Sequence, residues 1–380
     1  MFGTTTLSII ETDQALQEQA EKWATEKIIA VDLEGDSLHS YKEKICLIQV
    51  TDSVQDYIID PLKVNDLRPF LQILENPDVL KIMHGADFDV VSLKRDYNVS
   101  IENVFDTLIA AQFLGYKKFS LSNLVSGHFG FQLEKEYQKH DWSSRPLYEE
   151  HLSYARGDTH FLISLHEILS RKLQRSSFQD AVLEECQILT QKEWNGKQND
   201  GTDFLRMKRI SAFKGQQLLV LRKLYNWREE LAEKANVPSF KIFGHVPLLL
   251  LSSKMPETKD RMKEVLAGMH GFIIGRYGEK ILELIKEGLE DTSPLPVLIK
   301  KKKVKPHGQV ANLTAKVRQW REEKQKKGLL SIYLLSNQQI KELVISFPKT
   351  EEEFEASTAL REWQKSRYFS ELLQILQSVL

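Results

Sequence analysis

The sequence is poor in cysteine and contains no long apolar run. Cys46 and Cys186 are the two cysteines among 380 residues, too few for a disulfide framework, so both are expected to be reduced. No Cys/His cluster has zinc spacing, and no stretch approaches the roughly 18 uninterrupted apolar residues typical of a membrane span. Residues 1–12 show no basic start and apolar core of a signal peptide. We therefore expect a cytoplasmic protein without a membrane segment.

A strong net charge is missing as well. Lysine and arginine number 52 and aspartate and glutamate number 53, which gives a net charge of −1. This balance argues against a protein whose whole surface attracts nucleic acid, so any basic binding surface must be local. A chain of 380 residues is expected to fold as two or three domains rather than around one core.

What the sequence does contain is a set of acidic residues at informative spacings. Asp32 and Glu34 close an apolar run that predicts a buried strand. Residues two apart on a strand point to the same face, so both carboxylates project together at its carboxyl end. Tyr154 and Asp158 are four residues apart in a helical pattern and share a helix face. Asp89 lies between these two groups in the chain.

Each of these acidic pieces is weak evidence by itself, because exposed helices and strand ends carry similar pairs by chance. Their joint occurrence, with strands and helices around each piece, is strong. Carboxylates that converge on one point repel each other unless cations lie between them, and such oxygen-rich sites suit Mg²⁺ or Mn²⁺. Two such ions about 3.5–4 Å apart are a common arrangement for attack on a phosphodiester.

Alternating strand and helix signals predict an α/β domain in the first part of the chain. Strands are expected near residues 28–34, 44–52, 56–60 and 79–84. Helices are expected near residues 13–25, 65–75, 87–97, 106–114, 120–129 and 147–172. Short links between the first three strands favour antiparallel pairing, and the helices between later strands favour parallel addition.

Three stretches resemble the exonuclease motifs of the DEDD 3′–5′ exonucleases. Ile29–Glu34 is similar to the first motif, His84–Leu93 to the second and Leu152–Thr159 to the third. Tyr154 marks the tyrosine subclass. The histidine subclass has histidine five residues before the last aspartate, where this sequence has Ser153.

Flanking stretches support the resemblance, which is strongest to the ribonuclease D branch. Lys44–Val50, Phe105–Thr107 and Asp141–Leu147 are similar to other signatures of that branch. Gly35 and Asp36 depart from it, because relatives often have a bulky residue after the glutamate. The resemblance implies a ribonuclease-H-like α/β exonuclease domain with a mixed sheet over about residues 1–205.

An internal repeat follows this domain. Trp-Arg-Glu-Glu occurs at Trp227 and again at Trp320. Each copy is followed by a proline near 30 residues on, and that proline by Arg-Tyr about 20 residues later, at Tyr277 and Tyr368. Coincident offsets of three landmarks predict duplicated helical modules, in which the two tryptophans anchor the cores.

These modules resemble HRDC domains, which are small all-α helical bundles. We expect the first HRDC domain over residues 206–292, a basic Pro-containing linker over 293–309 and a second HRDC-like domain over 310–380. Lys300 and Lys301 in the linker are possible RNA contacts, and a solvated charge run is an equally good interpretation.

The resemblance also implies roles for the acidic residues. Asp32 would bridge two divalent ions, Mg²⁺ or Mn²⁺, which Glu34, Asp89 and Asp158 would also hold. Tyr154 would orient the attacking water, since a phenol that titrates near 10 is a poor base at neutral pH. All five residues are therefore candidate catalytic residues.

Other residues near the motifs receive weaker predictions. Trp142, Arg145 and Arg156 are possible RNA contacts, the tryptophan by stacking and the arginines through phosphates. An ion pair with a nearby acid is an equally good interpretation of Arg156. Phe88 and Tyr148 could also stack on bases, but we favour core positions for both, as for Trp142. We interpret His84 as a hydrogen-bonded structural residue and His151 as a partly exposed helix residue.

The expected function is 3′–5′ exoribonuclease activity that releases nucleoside 5′-monophosphates. The expected partner is RNA with a free single-stranded 3′ end, such as a tRNA precursor, and we expect a monomer. A DNA exonuclease is an alternative, although the sequence has no GxxxxGK[ST] phosphate loop of a helicase. A non-catalytic RNA-binding scaffold is a second alternative, although none of the expected metal ligands is missing.

Overall fold

The computed structural model describes residues 6–196, 201–269, 271–295, 308–325, 331–348 and 350–378. This part of the chain divides into two compact units. The first unit contains the described residues of 6–34, 45–194 and 308–378, and the second contains those of 35–44 and 195–295. No helix in the described ranges combines the length and the apolar character needed to cross a membrane.

The sheet of the first unit determines where the acidic side chains lie. In the described residues it has six strands in the order β1-β4-β3-β2-β5-β6. The strands are β1 (Leu7–Ile10), β2 (Ile28–Gly35), β3 (Ile45–Thr51), β4 (Asp56–Ile59), β5 (Leu80–Met83) and β6 (Val104–Asp106). β3 pairs with β4 antiparallel, whereas the pairs β1–β4, β2–β5 and β5–β6 are parallel. The predicted mixed sheet is therefore confirmed.

Helices cover this sheet and bury a common apolar core. They are α1 (Asp13–Trp23), α2 (Arg68–Glu75), α3 (Asp87–Tyr97), α4 (Thr107–Phe113), α5 (Leu121–Phe129), α6 (Glu149–His160), α7 (Leu162–Gln174) and α8 (Gln179–Thr190). The single helix predicted over 147–172 is wrong, because α6 and α7 are separate helices that meet at Phe161. Asp13 begins α1, but Thr12 is its N-cap and accepts a hydrogen bond from the Ala15 amide.

The second unit is a helical bundle. Its helices are α9 (Gln216–Lys234), α10 (Ser239–Ile242), α11 (His245–Lys254), α12 (Lys259–Leu266) and α13 (Gly271–Glu290). The predicted boundary at residue 205 falls inside this unit, because Phe204 and Met207 are buried in its core. Tyr41, far earlier in the chain, also packs against that core. Local sequence patterns could not predict that Tyr41 packs against a core formed by residues so distant in sequence.

The second helical module has helices α14 (Gly308–Gln325), α15 (Ser331–Leu334), α16 (Asn337–Ser346), α17 (Glu351–Glu355) and α18 (Glu362–Gln377). The tryptophan and the tyrosine of the repeat contact each other in the same way in both modules. The Trp227 and Tyr277 rings are 5.5 Å apart at 86°, and the Trp320 and Tyr368 rings are 5.1 Å apart at 77°. Edge-to-face aromatic pairs of this kind stabilise a core. The duplicated landmarks therefore have a duplicated structural role.

The second module is joined to the nuclease side of the chain rather than standing as a separate unit. Trp363 is 2% exposed and its indole N–H donates to Glu185 at 3.0 Å. The Tyr333 hydroxyl donates to Gln112 at 2.6 Å. Tyr333 and Trp363 belong to the same buried apolar cluster as Phe113 of α4. This module therefore extends the core of the first unit.

Candidate active site

Three elements of the first unit bring the predicted acidic residues together. β2 carries Asp32 and Glu34, and α6 carries Asp158. One carboxylate oxygen from each of these three residues lies within 4.8 Å of the others. Asp89, in the first turn of α3, is buried outside this group of three, and its charge raises the pKa of Asp32. We call Asp32, Glu34, Asp89 and Asp158 the carboxylate cluster.

The carboxylate cluster is an unfavourable arrangement without a cation. Burial and the nearby charges of Asp158 and Asp89 raise the pKa of Glu34 to about 9. Burial raises the pKa of Asp89 and of Asp158 to about 7. The pKa of Asp32 is raised well above its ordinary value by burial and by the other three carboxylates. Burial of four neighbouring carboxylates, which adds to their mutual repulsion, indicates a site that suits positive charge.

The donor set of the cluster fits hard divalent cations. Its potential ligand atoms are carboxylate oxygens, which suit Mg²⁺ and Mn²⁺ better than softer metals. No histidine or cysteine joins the group of three carboxylates that lie together in the described residues. The residues present therefore fit divalent cations that take oxygen ligands.

Tyr154 lies beside the cluster on α6. Burial and the charges of Asp158, Glu34 and Asp32 raise the pKa of its phenol well above the usual value. The hydroxyl therefore stays protonated at neutral pH and can donate a hydrogen bond. Its ring lies 5.8 Å from that of Trp142 and 6.0 Å from that of Tyr137, so the aromatic neighbours hold it in place.

Asp106 is a site residue to which the sequence assigned no role. Its carboxylate accepts hydrogen bonds from the amides of Gly85 at 3.0 Å and Ala86 at 2.9 Å, in the turn that leads into α3. The same carboxylate caps α4 through the Leu108 amide at 2.8 Å. Gly85 has a φ of +73°, which favours glycine. Asp106 therefore fixes the turn that places Asp89.

His84 is a structural residue, as predicted. Its Nδ1 lies 2.9 Å from the hydroxyl of Thr107, which itself donates to the Met83 carbonyl at 3.0 Å. His151, however, is buried against Tyr137 and His140 rather than partly exposed. The expectation for His151 was wrong because the rings of Tyr137 and His140, from the segment that precedes α6, cover it.

The structure places the predicted RNA contacts of the nuclease domain in structural positions. Trp142 is 1% exposed, so its ring cannot stack on a base in this structure. Arg145 donates to both carboxylate oxygens of Asp60, each at 2.7 Å, and to the Cys46 carbonyl at 2.9 Å. Arg156 donates to Asp56 at 2.5 Å. Lys300 and Lys301 lie outside the described residues.

Two aromatic side chains near the motifs are more exposed than expected. Phe88 is 48% exposed and Tyr148 is 58% exposed. The core positions favoured for both were therefore wrong, and both remain candidates for contact with a base. Phe88 stands between Asp87 and Asp89 in the first turn of α3.

A cavity of about 520 Å³ opens beside the catalytic helix α6. Tyr154, Arg156 and Asp158 of α6 line it, together with residues 131–134. This volume lies in the usual range of small-ligand sites. Asp158 is the member of the carboxylate cluster that lines this cavity.

A mixed α/β sheet that gathers four buried carboxylates and a tyrosine is the arrangement expected of a DEDD-type exonuclease. Comparison with known proteins agrees. Residues 7–174 match the family described as 3′-5′ exonuclease, and residues 217–285 and 311–376 each match the HRDC domain. The chain therefore contains a 3′–5′ exonuclease domain followed by two HRDC domains.

Curated relatives extend well beyond this chain. The Exosome complex component 10 homolog of Caenorhabditis elegans is 33% identical over 288 residues, which are 74% of this chain and 33% of that protein. The Exosome complex exonuclease RRP6 of Saccharomyces cerevisiae is 28% identical over 312 residues, which are 76% of this chain and 42% of that protein. The chain thus spans about a third to two fifths of the length of these relatives.

Solved structures support the same assignment. The catalytic core of RRP6 from Trypanosoma brucei is 28% identical with a TM-score of 0.63, and the match covers 76% of this chain and 81% of that one. Escherichia coli RNase D is 22% identical with a TM-score of 0.70 over 98% of this chain and 99% of that one. The second match shows a shared fold along almost the whole chain.

Proposed function

We propose that this protein is a 3′–5′ exoribonuclease that releases nucleoside 5′-monophosphates. The observation that carries the proposal is the carboxylate cluster, with three ligand atoms within 4.8 Å of one another beside an open cavity. A cluster with pKa values this strongly raised has no evident structural purpose, because it lowers the stability of the metal-free fold.

The mechanism that we propose uses two divalent ions. Asp32, Glu34 and Asp158 would hold one ion together, and Asp32 and Asp89 would hold the second. The ions would activate the attacking water and stabilise the leaving 3′ oxygen. Tyr154, as a protonated phenol, would donate a hydrogen bond that orients the water for attack. Asp106 would keep Asp89 in position through the Gly85 and Ala86 amides.

RNA is the substrate class that we favour. The relatives named above are exosome proteins, and the E. coli protein is described as an exoribonuclease involved in structured RNA processing. By analogy, we propose that the chain trims single-stranded 3′ ends of small structured RNAs, tRNA precursors among them. The exposed rings of Phe88 and Tyr148 would offer stacking surfaces, which tolerate any base.

The test uses purified protein and one short single-stranded RNA labelled at either end, with Mg²⁺ or Mn²⁺ present. A 5′ label should give a ladder of shortened products, and a 3′ label should give mononucleotide alone. Asp32→Asn is the matched control and should bind RNA without degrading it. Absence of mononucleotide with every divalent ion would contradict the proposal.

Two further comparisons define the substrate. DNA of the same sequence tests the polymer, because only RNA offers a 2′-hydroxyl. Faster cleavage of DNA than of RNA would indicate a DNA exonuclease instead. A panel of structured RNAs with 3′ tails, including a tRNA precursor, would then show whether trimming stops at the base of the folded region.

A further inference from the structure

We propose that Asp56 is a positioning residue that sets the orientation of the catalytic helix α6 through Arg156 and His160. This inference rests on the proposed nuclease function, because α6 carries Tyr154 and Asp158. Asp56 lies on strand β4 and does not belong to the carboxylate cluster. Its role would be to hold the helix rather than to touch the substrate.

The contacts of Asp56 converge from two elements. Asp56 is 1% exposed, and its carboxylate accepts hydrogen bonds from Thr51 at 2.8 Å and from Arg156 at 2.5 Å. The Nδ1 atom of His160 lies 2.9 Å from one of its oxygens and 3.1 Å from the other. One buried carboxylate thus collects one side chain from the sheet and two from α6.

The backbone of Asp56 is itself rigidly placed. The residue pairs with Thr51 across the antiparallel β3–β4 ladder and with Leu7 across the parallel β1–β4 ladder. A residue held by strands on both sides has little freedom to follow a moving helix. Asp56 is therefore a fixed point against which α6 can be oriented.

Helical geometry explains why this fixed point matters for catalysis. Successive residues turn by about 100° around an α-helix. Ala155 and Thr159 lie on the buried face of α6, and the Thr159 hydroxyl lies 2.8 Å from that of Thr51. Tyr154 and Asp158 stand about 100° to one side of this buried line, and Arg156 and His160 about 100° to the other.

The helix is thus held on opposite flanks. One flank faces the carboxylate cluster, where like charges repel, and the other is attached to Asp56 by opposite charge. Rolling of α6 about its axis would move Tyr154 and Asp158 and would have to break the Asp56 contacts. Although burial acts to raise it, hydrogen bonds from His160 and Arg156 keep the pKa of Asp56 below its ordinary value.

The test compares two buried aspartates of the same hairpin. Asp52 is buried and accepts hydrogen bonds from Trp23, Val54 and Gln55, none of which lies on α6. Asp56→Asn should lower kcat by roughly 10- to 100-fold with KM unchanged, because small misplacement of catalytic groups has effects of that size. Asp52→Asn should keep the wild-type kcat per folded molecule.

Arg156 variants separate positioning from direct RNA contact. Arg156→Lys keeps a cation opposite Asp56 and should retain more of kcat than Arg156→Met, which keeps the length without the charge. A phosphate contact would instead raise KM in both variants and leave Asp56→Asn at the wild-type rate. That pattern would overturn the proposal, as would an equal loss of kcat in Asp52→Asn and Asp56→Asn.

Binding of Mn²⁺ alone gives a readout that does not depend on the substrate. Displacement of Asp158 should weaken Mn²⁺ binding in Asp56→Asn and leave it unchanged in Asp52→Asn. If wild-type protein degrades no nucleic acid, the proposed function fails, and this measurement still decides the role of Asp56. Equal Mn²⁺ affinity in wild type and Asp56→Asn, with equal kcat wherever turnover is measured, would refute the positioning role.

Discussion

Binding of divalent cations to the carboxylate cluster should expel protons, and the structure indicates how many. The pKa of Glu34 is raised to about 9, those of Asp89 and Asp158 to about 7, and that of Asp32 well above its ordinary value. At pH 7 the metal-free cluster should therefore keep about two protons on Glu34, Asp89 and Asp158. Since metal ligands must be deprotonated, these protons leave when the ions bind.

Proton release makes ion affinity depend steeply on pH. Each released proton changes the affinity by about tenfold per pH unit. The affinity for Mn²⁺ should thus rise by about a hundredfold or more per unit near pH 7 and level off above about pH 9. Exposed carboxylates, which are ionised well below pH 6, would give no such dependence.

Titration calorimetry with Mn²⁺ measures the effect directly. The heat of binding at pH 7 should differ between buffers of different ionisation enthalpy, in proportion to the protons released. Glu34→Gln should reduce the release by about one proton, since Glu34 is protonated before binding. Heats that do not depend on the buffer, or an affinity that is constant from pH 6 to 8, would refute this reasoning.

The same pKa values fix the sign of the pH effect on stability. Raised folded-state pKa values mean that the protonated cluster favours folding, so its contribution is fully present below the unfolded-state values near 4. This contribution is lost as the pH rises through the folded-state values of about 7 and about 9. The melting temperature of the metal-free wild type should therefore fall more between pH 6 and pH 9 than that of Glu34→Gln. Mn²⁺ should raise the melting temperature of the wild type more at pH 9 than at pH 6.

Four further substitutions test other parts of the structure. Tyr154→Phe should slow turnover and keep Mn²⁺ affinity, and a wild-type rate would show that the phenol does not orient water. Gly288→Ala should destabilise the second unit by about 1–3 kcal/mol in thermal unfolding, because its Cβ would lie 2.7 Å from the backbone of α9. Trp363→Ala should cost about 3–5 kcal/mol, whereas Phe272→Ala, at the corresponding repeat position and 51% exposed, should change stability by less than about 0.5 kcal/mol.

Much of the candidate site could be predicted because its residues occupy short motifs with regular spacing. A strand alternates its faces every two residues and a helix repeats after about four, so Asp32 with Glu34 and Tyr154 with Asp158 could be placed by local rules. That these two pairs lie close together in space was predicted from the family resemblance. The pattern allowed Arg156 to contact RNA or to pair with an acid, but it could not identify Asp56 as the partner, because Asp56 is 100 residues earlier in the chain.

The sequence prediction missed two short strands. β6 has three residues, too few for a clear alternation, and β1 was missed as well, although it is as long as the predicted β4 and β5. β6 nevertheless ends at Asp106, which holds the turn before Asp89. The short strand is stabilised by its neighbours in the sheet rather than by its own sequence, as tertiary context often overrides local preference.

The two helical modules show how one repeat can serve two structural roles. Counting back five residues from Tyr277 and from Tyr368 gives Phe272 and Trp363 as corresponding positions. Phe272 is 51% exposed, whereas Trp363 is 2% exposed. The Trp363 indole donates to Glu185, and Glu184 accepts hydrogen bonds from the Glu362 and Trp363 amides at 2.8 and 2.9 Å.

These contacts explain why the second module shares a compact unit with the nuclease sheet. Glu184 and Glu185 lie on α8 of the nuclease side, and the start of α18 offers amide donors and the partly positive end of a helix dipole. The Arg361 guanidinium adds an ion pair with Glu185 at 2.8 Å. Residues of the Trp-Arg and Arg-Tyr landmarks stabilise the core of both bundles. These landmarks therefore do not predict which module packs against the nuclease side of the chain. Docking depends instead on acidic residues of α8, a helix outside the repeat, so a search for duplicated sequence alone predicts two equivalent modules.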